Sequence, residues 1–413
     1  MGLSCSRTSE ALAASAPLAA FRVRARGGLR ARILQQLDHP RLARGSCEAP
    51  LPRCPGLSAK RLHTRLVAAI ALAAAVLVST PTAHAGPVEK GIWLSLAEIA
   101  QLPTSGTAWT KLKSTADGSL GVPKISDQDS KHDVTTLAVA LVYARTGDAS
   151  YRKKAADGIM SAVGTEAGGR TLALGRNLVS YVVAADLVNL REYDAAKDGQ
   201  FRGWLAAVRS ETLDGKTLIS THESRPNNWG THAGASRIAA DAYLGDVADL
   251  ARAAAVFRGW LGERSAYAGF KFGSLDWQAD PANPVGINVP GARRSNFAVD
   301  GALPEEMRRG CSLQFPPCKT GYPWGALAGA TAQAELLYRQ GYDAWSWGGW
   351  ALLRAVEFLR ILDAQYGGWW ASSDDSWQPW LVNFAYGTAY PAQVTGRAGK
   401  NMGWTDWTHA RRR

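Results

Sequence analysis

The sequence is poor in the side chains that bind transition metals. Its 413 residues include only five cysteines, four methionines and seven histidines. No Cys-x-x-Cys pair occurs, and no histidine lies near the two cysteines of the C-terminal half, so the spacing of a zinc site is absent. The sequence also lacks an apolar run of eighteen or more residues, which a membrane-spanning helix needs. We therefore expect no metal, no other cofactor and no stable membrane insertion of the processed chain.

Positive charge is abundant, but its distribution argues against a nucleic-acid partner. The formal net charge is +12. Residues 1–65 contain twelve Lys and Arg against three Asp and Glu, an excess of nine. The remaining residues carry an excess of only three, whereas a nucleic-acid-binding domain presents a basic patch of its own.

The first 85 residues carry an export signature. Lys60 to Arg65 (KRLHTR) forms a basic segment, and Leu66 to Val78 forms a thirteen-residue apolar run. Ala83-His84-Ala85 then matches the small-x-small site at which signal peptides are cleaved. We predict cleavage after Ala85 and a secreted or periplasmic protein. The alternative is a retained anchor, which the shortness of the apolar run disfavours.

This signature divides the chain into three predicted segments. Residues 1–59, rich in Arg, Ala and Pro without periodicity, are predicted to be an unstructured basic leader or an over-extended gene start. Residues 60–85 are the predicted signal peptide, and residues 86–413 are the predicted catalytic domain. Beyond residue 85 only Cys311 and Cys318 remain, and an even pair in an exported protein predicts a disulfide.

From about residue 90 the chain shows helical periodicity, with apolar residues three and four positions apart. At three sites a glycine that can end a helix precedes an aspartate that can begin the next one: Gly147-Asp148, Gly245-Asp246, and Gly341 with Asp343. This pattern predicts αα-hairpins. The predicted helices include 132–145, 151–163, 172–190 and 203–213.

Helical hairpins placed side by side form either an open solenoid or a closed toroid. The hairpins here have no strict period, and a long segment from Ser265 to Pro304 interrupts them. We predict an all-α fold, an α/α toroid or incomplete barrel, with long loops lining a cleft. All sixteen tryptophans follow residue 85. Indole rings stack on sugar faces, so this abundance indicates a carbohydrate cleft, although most of the rings are expected to pack between helices.

One predicted helix start, in the segment RPNNWGTHAGASRIAADAYLG from Arg225 to Gly245, concentrates polar side chains. Asn227 or Asn228 can cap the helix. Asn228, His232 and Ser236 recur every fourth residue and therefore lie along one line of it. A histidine on a helix is more often a hydrogen-bonded core residue than a catalyst, but the polar neighbours make His232 a candidate. Those neighbours are Arg225, Asn227 and Trp229.

A second group lies in DGALPEEMRRG, Asp300 to Gly310, and a tyrosine, Tyr322, opens the next predicted helix. Taken alone, Glu305 and Glu306 could be glycosidase carboxylates, and the two arginines could hold an anionic substrate. A charged surface turn with Arg–Glu pairs explains the same residues equally well.

Together the two segments resemble the alginate lyase-like superfamily of polysaccharide lyases. The family segment Asn-Asn-x-Gly-Thr-aromatic corresponds to residues 227–232 (NNWGTH), and Asp-Gly-x-x-Pro-x-Glu-x-x-Arg corresponds to residues 300–309 (DGALPEEMRR). Tyr322 and the later Ala334-Glu335 match the tyrosine and the helix that follow in the family. The resemblance covers about residues 90–400. It implies an α/α toroid that cleaves uronic-acid polysaccharides by β-elimination.

The chain differs from the family pattern in two places. The family usually has histidine third and an aromatic residue sixth in the first segment, whereas Trp229 is third and His232 is sixth here. Thirteen positions separate Arg309 from Tyr322, more than the usual gap in the family, and the cysteine loop fills the difference.

β-Elimination needs three kinds of group. The uronate carboxylate must be neutralised, for which Asn228, with Asn227 and Arg309, is the candidate. A base must take the C5 proton and an acid must protonate the leaving oxygen, and His232 and Tyr322 are the available pair. A tyrosine acts as a base only when cations such as Arg309 favour its phenolate. The predicted catalytic residues are Asn228, His232, Arg309 and Tyr322, and the predicted substrate-binding residues are Arg225, Asn227, Trp229, Arg308 and Trp324.

We therefore predict a secreted lyase acting on an anionic, uronate-containing polysaccharide such as an alginate-like or glucuronan-like glycan. Two alternatives remain open. One is a non-catalytic glycan-binding protein. The other is a glycoside hydrolase on a similar scaffold, with two carboxylates drawn from Asp300, Glu305, Glu306, Asp374 and Asp375.

Overall fold

The computed structural model describes residues 91–393 and 401–411, which are mostly α-helical, as predicted. The predicted leader, the signal peptide and the cleavage site after Ala85 lie outside the described residues. Within those residues the only strands are β1 (Arg293–Arg294) and β2 (Phe297–Ala298), which pair antiparallel with Arg293 opposite Ala298. None of the helices in these ranges is both long and apolar enough to cross a membrane.

Ten helices precede the strand pair. They are α1 (Leu96–Ala100), α2 (Thr107–Asp117), α3 (His132–Thr146), α4 (Ala149–Ala162), α5 (Thr171–Leu187), α6 (Leu190–Tyr193), α7 (Ala195–Val208), α8 (Leu218–Ser224), α9 (Asn228–Leu244) and α10 (Val247–Trp260).

The helices that follow the strand pair include the longest one, which contains a kink at Gly348 to Trp350 near its start. They are α11 (Pro304–Met307), α12 (Tyr322–Arg339), α13 (Trp347–Tyr366), the 3₁₀ helix Ser373–Asp375, α14 (Gln378–Tyr386) and α15 (Thr405–Thr408).

Two of the three predicted hairpin turns are confirmed. Gly147 and Gly245 both adopt left-handed backbone angles, with φ of 73° and 71°, directly after α3 and α9. The aspartates that follow them cap α4 and α10 through their side chains. The third prediction is wrong in its second half, because α13 begins only at Trp347 and Asp343 does not cap it.

The predicted helix 203–213 is also displaced. The helix in this region, α7, begins at Ala195 because the Asp194 side chain accepts hydrogen bonds from the backbone N–H groups of Ala196 and Lys197. A short polar side chain at the N-cap satisfies backbone N–H groups that the helix itself leaves without a partner. The helix ends at Val208, before the predicted end.

Helices α5, α9 and α12 lie side by side and run parallel. Ser236 Oγ of α9 donates to the Gly175 carbonyl of α5 at 2.8 Å and accepts from the Val179 N–H at 3.1 Å. On the other side of α9, an added Cβ at Gly329 of α12 would lie 2.4 Å from the carbonyl carbon of Thr231. Glycine therefore allows close backbone contact, and the N-terminal ends of the three helices come to one side of the domain.

The segment 401–409 is buried and connects several helices. The Asn401 carbonyl accepts a hydrogen bond from Ser180 Oγ of α5 at 2.8 Å. Further along, Trp404 Nε1 donates to the Val134 carbonyl of α3 at 3.0 Å. The Trp407 indole is 2% exposed and belongs to the apolar core that the helices share.

The long segment 265–303 is an ordered loop rather than a helix. The side-chain amide of Asn288, which is fully buried, donates to the carbonyls of Trp277 at 3.0 Å and Val299 at 3.1 Å. These bonds satisfy backbone carbonyls of the loop outside the short β1–β2 pair. The loop ends at α11, which carries the acidic residues of the second predicted site segment and is followed directly by its two arginines.

Candidate active site

The first site segment forms the start of α9, and its two asparagines have different functions. Asn227 is the N-cap, because its Oδ1 accepts a hydrogen bond from the Trp229 N–H at 3.1 Å. The adjoining Pro226 carbonyl is fixed by Trp260 Nε1 at 2.7 Å. The Asn228 side chain therefore takes no part in capping and is available for other contacts.

The second site segment meets the first through Glu306 and Arg309. Glu306 Oε1 accepts a hydrogen bond from the backbone N–H of Asn228, and Oε2 accepts one from Arg309 Nη1 at 3.2 Å. The same Arg309 Nη1 donates to Asn228 Oδ1 at 3.1 Å. Since this bond occupies the amide oxygen, the amide group of Asn228 has its N–H donors directed away from Arg309.

Tyr322, the first residue of α12, completes this cluster. The guanidinium carbon of Arg309 lies 3.1 Å from the centre of the Tyr322 ring. Tyr322 is 39% exposed. Cys311 and Cys318 form the predicted disulfide and close the loop that separates the two residues in sequence. The structure therefore brings together three of the four predicted catalytic residues.

The carboxyl group of Glu306 is 1% exposed, and burial raises its pKa to about 7. Arg309 and the Asn228 N–H oppose this shift, since both favour the ionised form. At neutral pH the carboxyl group of Glu306 is therefore about half ionised, and the ion pair with Arg309 strengthens as pH rises above about 7 and weakens below it.

The fourth predicted catalytic residue, His232, lies in the interior. It is 1% exposed, and its Nδ1 lies 3.1 Å from Asn401 Oδ1 of the C-terminal segment. The residues of the predicted polar line of α9 therefore contact other segments of the protein. Asn228 contacts Arg309, His232 contacts Asn401, and Ser236 contacts α5. A role for His232 in direct contact with substrate would need a more open environment.

The predicted substrate-binding residues fall into two groups. Arg225 and Trp229 lie beside Asn228, with the guanidinium carbon of Arg225 4.5 Å from the Trp229 ring centre. Arg308 is turned away from Arg309 and pairs with Glu305, which in turn accepts the Gly273 N–H at 3.1 Å. This pair holds the long loop against α11.

Trp324 is buried, and its Nε1 donates to the Trp369 carbonyl at 2.7 Å. It forms part of the wall of a surface concavity of about 290 Å³ that adjoins Tyr322. The concavity is lined by Lys319, Thr320, Gly321, Trp324, Gly368, Trp369, Trp370, Ser372 and Asp375. Sequence analysis did not place Lys319 at the site. Its position between Cys318 and Tyr322 could have indicated that it lies near Tyr322.

The five carboxylates considered for hydrolysis are mostly engaged. Each of four forms an ion pair: Asp300 with Arg354, Glu305 with Arg308, Glu306 with Arg309, and Asp374 with Lys131. Asp375 instead accepts a hydrogen bond from Gln378 Nε2 at 3.2 Å, and burial raises its pKa to about 7. A hydrolase needs two cooperating carboxylates. Four of these five carboxylates are instead engaged in ion pairs.

One group of acidic residues in the described part of the chain is close enough to share a metal ion. It consists of Asp241, Asp246 and Asp249, whose oxygens lie within 4.8 Å of one another. The guanidinium group of Arg209 contacts all three carboxylates. Since a cationic side chain already lies among these oxygens, the group acts as an ion-pair network between α7, α9 and α10.

Comparison of the chain with protein-family models, with curated proteins and with solved structures gives no significant match. The functional argument therefore depends on the cluster of Asn228, Arg309 and Tyr322 and on the side chains around it.

Proposed function

We propose that this protein is a secreted polysaccharide lyase that cleaves a uronate-containing glycan by β-elimination, on an α/α-toroid scaffold. The observation that carries the proposal is the shared position of Arg309, which contacts both Asn228 Oδ1 and the Tyr322 ring. Parallel packing of α5, α9 and α12 supports the toroid, and the Cys311–Cys318 disulfide supports an exported protein.

Asn228 and Arg309 neutralise the carboxylate of the reacting uronate in this proposal. Removing the C5 proton creates negative charge on that carboxylate, and amide and guanidinium donors stabilise it. The bond from Arg309 orients the amide of Asn228, a residue that is 3% exposed, so that its N–H donors point away from Arg309. Gly325 stands opposite, where an added Cβ would still lie 3.9 Å from Asn228 Nδ2, so α12 leaves space beside the amide.

Tyr322 carries both proton transfers. As the phenolate it takes the proton from C5, and the electron pair of that bond forms the C4–C5 double bond while the C4–O bond breaks. The proton then passes from Tyr322 to the departing glycosidic oxygen. One group can serve both steps only when the C5 proton and the leaving oxygen lie on the same face of the sugar. His232 has the role of holding the C-terminal segment.

The proposal is tested by incubating the exported protein with a panel of uronate and neutral polysaccharides. Elimination forms a conjugated double bond, so ultraviolet absorbance should rise with a uronate substrate and should not rise with the Tyr322→Phe variant. Cleavage of neutral glycans alone, with no rise in absorbance, would instead identify a hydrolase. Binding of uronates without any cleavage would identify a glycan-binding protein.

A further inference from the structure

Two guanidinium groups lie against the indole ring of Trp229. The guanidinium carbon of Arg225 is 4.5 Å from the ring centre, and that of Arg170 is 5.4 Å away. Arg225 follows α8, Arg170 precedes α5, and Trp229 belongs to the first turn of α9. Three separate helix ends therefore contribute to one cationic group, which we call the Arg170–Trp229–Arg225 stack.

Neither arginine of this stack forms an ion pair among the described residues. Arg170 Nη2 contacts only the Gln128 amide oxygen, at 3.3 Å, and Arg225 Nε is buried with no hydrogen-bond acceptor in reach. Two other arginines that lie over aromatic rings are neutralised, and Arg202, over Tyr243, donates hydrogen bonds to two backbone carbonyls. Arg252, over Tyr267, pairs with Glu223, and Arg258, over Trp347, pairs with Glu263.

Two unneutralised cations over one ring repel each other, and an anion placed between them would relieve this repulsion. Guanidinium donors match the two oxygens of a carboxylate. The chemistry of the stack therefore fits the carboxylate of a uronate.

The stack adjoins the proposed catalytic cluster. Trp229 follows Asn228 directly in the first turn of α9. A sugar whose carboxylate meets the stack would therefore be a neighbour of the sugar held by Asn228 and Arg309, rather than the same sugar.

We infer that the Arg170–Trp229–Arg225 stack binds the carboxylate of the uronate next to the reacting one, so that the substrate is a run of consecutive uronates. This inference rests on the proposed function and names its substrate class. An unsulfated glycan in which uronates alternate with neutral amino sugars offers the stack no carboxylate and should be a poor substrate.

The test compares the double variant Arg170→Gln/Arg225→Gln with wild type on a homopolymeric uronate and on an unsulfated alternating glycan. Losing two charge-assisted contacts should raise KM for the homopolymer roughly 10- to 100-fold and leave kcat within about threefold. On the alternating glycan the variant and wild type should be equally poor. Added salt should raise the KM of wild type more than that of the variant, because it screens the stack.

The matched control is Arg258→Gln, which alters another arginine that lies over a tryptophan but is paired with Glu263. It should leave KM unchanged. An unchanged KM in the double variant, or equal wild-type activity on both glycans, would overturn the inference.

Binding of a saturated oligouronate, measured by calorimetry, separates this inference from the proposed function, because it needs no turnover. Suppose that no polysaccharide is cleaved but the double variant binds the oligouronate roughly 10-fold or more weakly than wild type. The stack then binds uronates as inferred, and the proposed lyase mechanism is wrong. Equal binding by both proteins would show that the stack does not bind the uronate carboxylate.

Discussion

Arg309 lies over the ring of Tyr322, with its guanidinium carbon 3.1 Å from the ring centre. The two residues are thirteen positions apart and are joined through a disulfide-closed loop. A cation over the face of an aromatic ring is attracted by the ring quadrupole. This contact links the group that holds the substrate carboxylate to the group that moves protons.

Tyr322→Phe keeps the ring under Arg309 and removes only the hydroxyl. We expect kcat to fall about 10²- to 10⁴-fold with a nearly unchanged melting temperature, since the side chain is 39% exposed. Tyr338→Phe is the control, because this tyrosine lies at the opposite end of the same helix and is 41% exposed. Full activity of the Tyr322 variant would remove Tyr322 from the mechanism.

Asn228→Ala should lower kcat roughly 10²- to 10³-fold and affect binding less, because the amide donors matter most when charge develops. The backbone N–H of residue 228 still reaches Glu306 in this variant. Asn227→Ala provides the comparison. It removes the helix cap and should cost about 1 kcal/mol of stability with a much smaller loss of kcat. A change in KM alone for Asn228→Ala would contradict its role.

His232→Ala should destabilise the protein and leave the specific activity of the folded molecules near that of wild type. The buried imidazole contacts Asn401, and its loss leaves the Asn401 side chain without this partner, at about 1–3 kcal/mol. Thermal melting and turnover are measured on the same preparation. A loss of activity of about 10²-fold at unchanged melting temperature would restore His232 as a catalytic residue.

The pKa of Glu306, about 7, predicts an acid limb in the activity profile. Only the carboxylate accepts bonds from both Arg309 and the Asn228 N–H, so kcat should fall as pH drops below about 7. Glu306→Gln should give a lower, flat profile. The stability of the fold depends on pH in the opposite direction to kcat. The folded protein holds this proton more tightly than the unfolded chain does, so the contribution of Glu306 decreases as pH rises from about 4.5 to about 7.

The double variant Cys311→Ala/Cys318→Ala should lose both stability and turnover. Opening a loop of this length costs about 2–3 kcal/mol in the chain-entropy model, and it loosens the contact between Arg309 and Tyr322. Reductant should lower the wild-type melting temperature towards that of the variant and leave the variant unchanged. Equal kcat in the reduced and oxidised proteins would show that the loop does not position these residues.

Features that depend on neighbouring residues could be predicted from the sequence. The turns at Gly147 and Gly245 followed from local rules for ending and capping helices, and the 311–318 disulfide followed from being the one cysteine pair after residue 85. The meeting of Asn228 with Arg309 was expected through the family resemblance, not through spacing. Residue order alone did not identify Lys319 or Arg170 as neighbours of the site.

The environment of each side chain depended on tertiary structure. Helical periodicity places Asn228, His232 and Ser236 on one line, but it does not specify which segment covers each of them. Asn401, 169 positions away in sequence, covers His232 and holds it in the interior. Asn228 is also buried, at 3% exposed, but the side chain that contacts it is Arg309 of the second site segment, and Gly325 adds no side chain opposite it. Sequence determined the helices and their polar positions, whereas packing between distant segments decided which side chains each of those positions contacts.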